Sequence, residues 1–214
     1  MTATVRKHAL RAAALAAGAF AAGPAFAHHP LGGATPDNFL HGFLSGIGHP
    51  MIGLDHFAFI VAVGIAAAFT AHRLLAPLAF IVATGVGCLL TYAGVALPAA
   101  ELVITASVVL LGGLVLTARQ IGLPALLALF AVAGLFHGGA YGEAIVGAEA
   151  TPLLAYLLGF GLIQYGIAAA AGYAAVIFAK SEGRKALEPR LAGAVTAGIG
   201  FAFLIENVEG MVFA

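Results

Sequence analysis

Apolar positions run along this chain in long unbroken blocks, without the polar–apolar alternation of strands. Six blocks stand out, at roughly 51–70, 76–97, 99–118, 121–141, 152–179 and 191–212. A helix needs about 20 mostly apolar residues to cross the hydrocarbon core, so each block predicts a transmembrane helix. Prolines 50, 77, 98, 124, 152 and 189 stand at or near the block starts, where a missing backbone N–H costs least. The fifth block is the longest, which predicts tilt or an extension beyond the membrane. No polar domain or low-complexity linker intervenes, and the loops are too short for an appended catalytic domain. The pattern therefore predicts an all-α polytopic membrane protein whose residues 51–214 form one six-helix domain.

The segment before the first block has a different character. Arg6, Lys7 and Arg11 precede the apolar stretch ALAAGAFAAG, and Ala25-Phe26-Ala27 has the small-x-small form of a cleavage site. Residues 1–27 read as a signal peptide cleaved after Ala27, with His28 opening the mature chain. Residues 28–50 then form a periplasmic segment with a short interfacial helix, which Asp37 could cap. The remaining Lys and Arg residues, Arg73, Arg119, Lys180, Arg184, Lys185 and Arg190, all fall in the loops after the first, third and fifth blocks. Positive charge marks the cytoplasmic side, which puts both mature termini outside a bacterial inner membrane. Spans one to three and four to six would then have opposite orientations, as in many transporters.

Composition narrows the function. Hydrophobic residues make up 62% of the 214 and charged residues only 8%, with mean hydropathy +1.07. Soluble domains carry about 25% charged residues, so this chain is expected in lipid. A net charge of zero gives no bulk attraction to nucleic acid. Cys88, the single cysteine, sits in an apolar block and reads as a packing residue. No G-x-x-x-x-G-K-[ST] occurs, so ATP hydrolysis has no support. Gly42-Phe43-Leu44-Ser45-Gly46 has one residue too many for a rhomboid nucleophile motif, and eight histidines are too few for diiron oxygenase boxes. An enzyme is not expected.

Chemistry concentrates in two places. His49, Asp55 and His56 stand at the mouth of the first block. On one continuous helix His49 and His56 would lie nearly in line, with His56 on the order of 8 Å below the outer end. His49 precedes Pro50, which biases its backbone towards an extended entrance. His137, Tyr141 and Glu143 end the fourth block, with His137 roughly 24 Å from its inner start. Gly134, Gly138 and Gly142 form a small-xxx-small ladder that predicts close approach by another helix. Both clusters thus reach the outer half of the membrane. Imidazole and carboxylate together suit Ni²⁺, Co²⁺ or Zn²⁺. Adjacent residues cannot face one point on a regular helix, so either the turn at Asp55-His56 is distorted or Asp55 orients a ligand histidine. The alternatives are interhelical hydrogen bonding for the histidines and proton relay for Asp55. His28, His29 and His41 are candidate capture ligands at the entrance. Tyr141, Gln164 and Glu206 are candidates for a path or supporting shell, although Gln164 in mid-span fits interhelical hydrogen bonding better.

The two motifs, His49-PMIGL-Asp55-His56 and Phe136-His137-Gly138-Gly139-Ala140-Tyr141-Gly142, are similar to those of the HupE/UreJ family of nickel and cobalt permeases. The resemblance covers nearly the whole mature chain. It implies six spans after a signal peptide, uptake of Ni²⁺ or Co²⁺ as cargo, and no permanently bound cofactor. It also implies metal-handling roles for His49, Asp55, His56, His137 and Glu143. In the family pattern one residue often separates the last glycine from the acid. Here Glu143 follows Gly142 directly, and Glu149 in the next outer loop is the alternative acid. The expected function is a metal-ion uptake permease with a site between the first and fourth spans. The alternatives are a membrane metal-binding accessory or sensor for metalloenzyme maturation, and an intramembrane metalloenzyme.

Overall fold

A computed structural model describes residues 34–213; the signal-peptide stretch and the capture candidates His28 and His29 lie outside the described residues. Among the described residues seven helices follow one another: α1 (Phe39–Ile52), α2 (Leu54–Ala68), α3 (Ala76–Tyr92), α4 (Ala100–Leu116), α5 (Leu123–Gly142), α6 (Ala150–Ala179) and α7 (Leu187–Phe213). Single 3-10 segments, Glu143–Ile145 and Lys180–Lys185, follow α5 and α6. No strand occurs among the described residues. From α3 onward the helices start and end within a few residues of the apolar blocks. Proline stands in the first two positions of α3 and α5, as its missing N–H and fixed φ favour.

The first block departs from expectation. Residues 39–52 form a helix of 14 residues, where a short interfacial helix within residues 28–50 is expected, and it ends beyond residue 50. His49 and Pro50 lie inside its last turn and not in an extended entrance. Gly53 (φ −71°, ψ 107°) leaves the helical region, and the chain bends by 83° into α2. His49 and His56 therefore sit on separate helices, not in line on one face. The break has local causes: Pro50 cannot donate a backbone hydrogen bond in the last turn of α1, and a Cβ at 53 would lie 2.8 Å from His56 Cδ2, so the turn as it stands suits glycine. The N-cap also differs. Asn38, not Asp37, accepts the His41 backbone N–H at 2.9 Å, while the Asp37 carboxylate pairs with His41 Nδ1 at 2.6 Å.

Three helical stretches, 123–145, 150–185 and 187–213, are each long and apolar enough to cross a bilayer, and the bent α1–α2 pair could make a fourth. Helices α3 and α4, at 17 residues, are shorter apolar helices. Large apolar side chains such as Val82, Leu110, Leu154, Leu162 and Val195 face outward all along the bundle, as a lipid environment allows.

Helix α3 packs along α5, α4 along α7, and both α1 and α2 along α6. In lipid no hydrophobic effect drives helices together, so close packing rests on small residues. The glycine ladder of α5 does this work: a methyl at Gly138 would overlap the Thr84 carbonyl of α3, and one at Gly142 would lie 2.8 Å from the Cys88 carbonyl. Cys88 is buried in that seam with a free thiol. At the centre, Phe59, Ile60, Phe80, Val108, Leu111 and Phe130 form the apolar core beside which the polar groups lie.

Candidate functional site

Both polar motifs turn inward. His49, Asp55 and His56 are all nearly buried, at 3%, 5% and 4% exposure, and His137 is fully buried. The bend at Gly53 makes this possible. It starts α2 at Leu54, so Asp55 falls in the first helical turn, where the helix dipole favours its charge.

From α2 and α5 respectively, His56 Nδ1 and His137 Nδ1 meet at 2.8 Å across 81 positions of sequence. His137 Nε2 lies 3.0 Å from Ser107 Oγ on α4. Phe59 stacks on the His137 ring at a centroid distance of 4.5 Å, and Phe80 meets its edge at 5.8 Å. A second polar pair lies alongside. His49 Nδ1 is 2.9 Å from the hydroxyl of Tyr156 on α6, and that hydroxyl donates to the Tyr141 carbonyl at 3.0 Å. The ring of Tyr141 joins the two pairs, with centroids 5.0 Å from His49 and 4.5 Å from His56.

Two atoms in this cluster stand out. Asp55 Oδ1 and the Tyr141 hydroxyl are buried with no hydrogen-bond partner among the described residues. A buried polar group left unmatched costs about 1–3 kcal/mol, so two of them beside three histidines leave bonding capacity for a further group. Among the described residues no three His, Cys, Asp or Glu side chains converge closely enough to hold a metal ion as they stand. What exists is a two-nitrogen pair with an acid and a phenol near it.

The other predicted residues are not drawn in. Glu143 and Glu149 are exposed, the first opening the 3-10 turn and the second preceding α6, and neither caps a helix through its side chain. Glu206 is exposed on α7. His41 is exposed and held by Asp37. Gln164 is buried and donates to Thr84 Oγ1 at 3.3 Å and to the Phe160 carbonyl at 3.2 Å, the interhelical role its mid-span position favours. Sequence reasoning missed Ser107 and Tyr156. Each is a hydroxyl isolated in an apolar block, which is the only signal the sequence carries for them.

Together these features define a polytopic helical membrane protein with a buried histidine–tyrosine cluster drawn from four helices, to which Ser107 joins a fifth. Residues 14–203 match the family model described as HupE / UreJ protein, and the chain belongs to that family. It is a transporter and accessory family, associated with nickel or cobalt uptake or with urease and hydrogenase maturation. Neither the curated proteins nor the solved structures compared with the chain gave a match.

Proposed function

We propose that the chain is a Ni²⁺ or Co²⁺ uptake permease of the bacterial inner membrane, with six spans and both mature termini outside. Zn²⁺ is the competing cargo. The single observation that carries this reading is the His56–His137 contact: two imidazole nitrogens 2.8 Å apart, buried, and supplied by the two sequence motifs. Metal–imidazole bonds are about 2.0–2.1 Å, so two cis nitrogens on a six-coordinate ion stand about 2.9 Å apart, against about 3.4 Å on a tetrahedral one. An ion could take the place of the hydrogen between the rings by ring rotation, without moving the helices. Asp55, next to His56 in sequence, supplies negative charge, and the Tyr141 hydroxyl is buried with its bonding capacity unused. His49 forms an earlier station, separated from the pair by the Tyr141 ring, while His41, Glu143 and Glu149 lie at exposed positions suited to capture.

Liposomes containing the purified chain test this directly. They should accumulate radiolabelled Ni²⁺ or Co²⁺, and His56→Ala and His137→Ala should each abolish accumulation while the protein still inserts. Binding without accumulation would favour an accessory or sensor. Normal accumulation by both variants would refute the site.

A further inference from the structure

We propose that Ser107 and Tyr156, which belong to neither polar motif, are positioning residues that fix which nitrogen of His137 and of His49 carries hydrogen. The argument is one of counting hydrogens. A hydroxyl has a single hydrogen to donate. Ser107 Oγ lies 2.6 Å from the Ile104 carbonyl oxygen, which can only accept, so the serine hydrogen is committed there. Turning it towards His137 would leave two acceptor oxygens facing each other at that distance. Towards His137 Nε2, at 3.0 Å, Ser107 can therefore only accept, and Nε2 carries the hydrogen. In the neutral ring the lone pair is then on Nδ1, the atom that faces His56. His56 Nδ1 must donate across that 2.8 Å contact.

The same count applies to Tyr156. Its hydrogen goes to the Tyr141 carbonyl, so its oxygen accepts from His49 Nδ1–H, and the His49 lone pair is on Nε2. The two histidines thus present opposite nitrogens, Nδ1 from His137 and Nε2 from His49. Metal-ligating histidines commonly donate their other N–H to a fixed acceptor, which sets the tautomer and the ring direction. Here two hydroxyls from α4 and α6 occupy that place. The consequence for cargo binding rests on the permease reading above; the tautomers themselves do not.

Full-length protein labelled with ¹⁵N-histidine, in lipid nanodiscs, separates the two. The His137 and His49 signals are identified by their loss in His137→Gln and His49→Gln. In the parent, hydrogen should be found on Nε2 of His137 and Nδ1 of His49. Ser107→Ala should release His137 into the other tautomer or a mixture, Ser107→Thr should retain the parent state, and Tyr156→Phe should release His49 alone. Co²⁺ binding, followed by its visible absorption, should weaken about 10–100-fold in Ser107→Ala and return in Ser107→Thr. Hydrogen on Nδ1 of His137 in the parent, or a nitrogen spectrum unchanged by Ser107→Ala, overturns the proposal. Weakened binding that Ser107→Thr fails to restore also overturns it, since that would mark a packing role. If the parent binds no Co²⁺, the metal reading falls, and the nitrogen signals still decide the positioning.

Discussion

Gly138→Ala puts one methyl group into the tightest seam of the bundle, next to His137. The new Cβ would meet the Thr84 carbonyl oxygen, with the Thr84 Cα and carbonyl carbon at 2.6 and 2.7 Å. Carbon atoms rest about 3.5–4.0 Å apart, so relief requires α3 and α5 to separate by about 1 Å along backbone that has no flexible side chain to yield. A gap of that size forfeits a quarter to a half of the contact energy along the seam, and overpacking of this kind costs about 1–3 kcal/mol. Against it stands the helix-propensity gain of alanine over glycine, up to about 1 kcal/mol. With the full propensity gain the net is still a destabilisation of up to about 2 kcal/mol. Gly166 on α6 supplies the control. A methyl there meets nothing within 4 Å, so Gly166→Ala should be neutral or stabilising by up to about 1 kcal/mol. Thermal unfolding of the two variants in the same detergent or nanodisc gives the ordering. Metal accumulation should fall in Gly138→Ala even though every candidate ligand is intact, because the neighbouring His137 moves relative to Ser107 and His56. A Gly138→Ala protein as stable as the Gly166→Ala protein would refute the packing argument.

Three further outcomes can be checked. Asp55→Asn should weaken Co²⁺ affinity by about 10–100-fold or more, whereas Glu143→Gln, at an exposed position, should change it by about 1 kcal/mol or less; equal effects in a binding titration would place the acid wrongly. Gln164→Leu should cost about 1 kcal/mol in unfolding experiments and leave uptake intact, because Thr84 keeps its hydrogen bond to the Ile81 carbonyl at 2.8 Å; loss of uptake would make Gln164 part of the path. The double variant His56→Leu/His137→Leu should be closer to the parent in stability than His56→Leu alone, which should cost about 1–3 kcal/mol because it strands the Nδ1 of fully buried His137; additive losses would show that the pair holds the fold together.

The helices from α3 onward were legible because their apolar runs are long and unbroken and proline is best tolerated at helix starts, as Pro77 and Pro124 illustrate. The α5 glycine ladder was legible for a related reason: three small residues at a spacing of four form one stripe, and α3 occupies it. The bend at Gly53 was not. Pro50 and the glycines of GHPMIGLDHF mark a loosened entry, but the extended conformation of one glycine has no periodic signature that would place the bend at 53. Convergence of His56 with His137 could be anticipated from their positions near the same end of the expected first and fourth spans. The roles of Ser107 and Tyr156 could not, because a hydroxyl in an apolar helix can bond its own backbone, as Ser107 does to Ile104. Its second partner comes from another helix, 30 positions away.

The histidine pair also lies between two helices that do not pack closely on each other. Close helix pairs here are α3–α5, α4–α7, α1–α6 and α2–α6, and glycines mark their contact lines. The His56–His137 contact joins α2 to α5, which are not among the closely packed pairs. Between them stand wide side chains: Phe59 and Phe80, 5.2 Å apart by ring centroid, and the two imidazoles. Interhelical hydrogen bonds in membranes contribute only about 0.6 kcal/mol on average, so one bond across such a gap is a poor substitute for a glycine seam. If holding α2 against α5 were the only demand, small residues would meet it better. Two imidazoles that can exchange a hydrogen for an ion, set between helices whose close packing lies elsewhere, fit the binding role proposed above better than that of a structural joint.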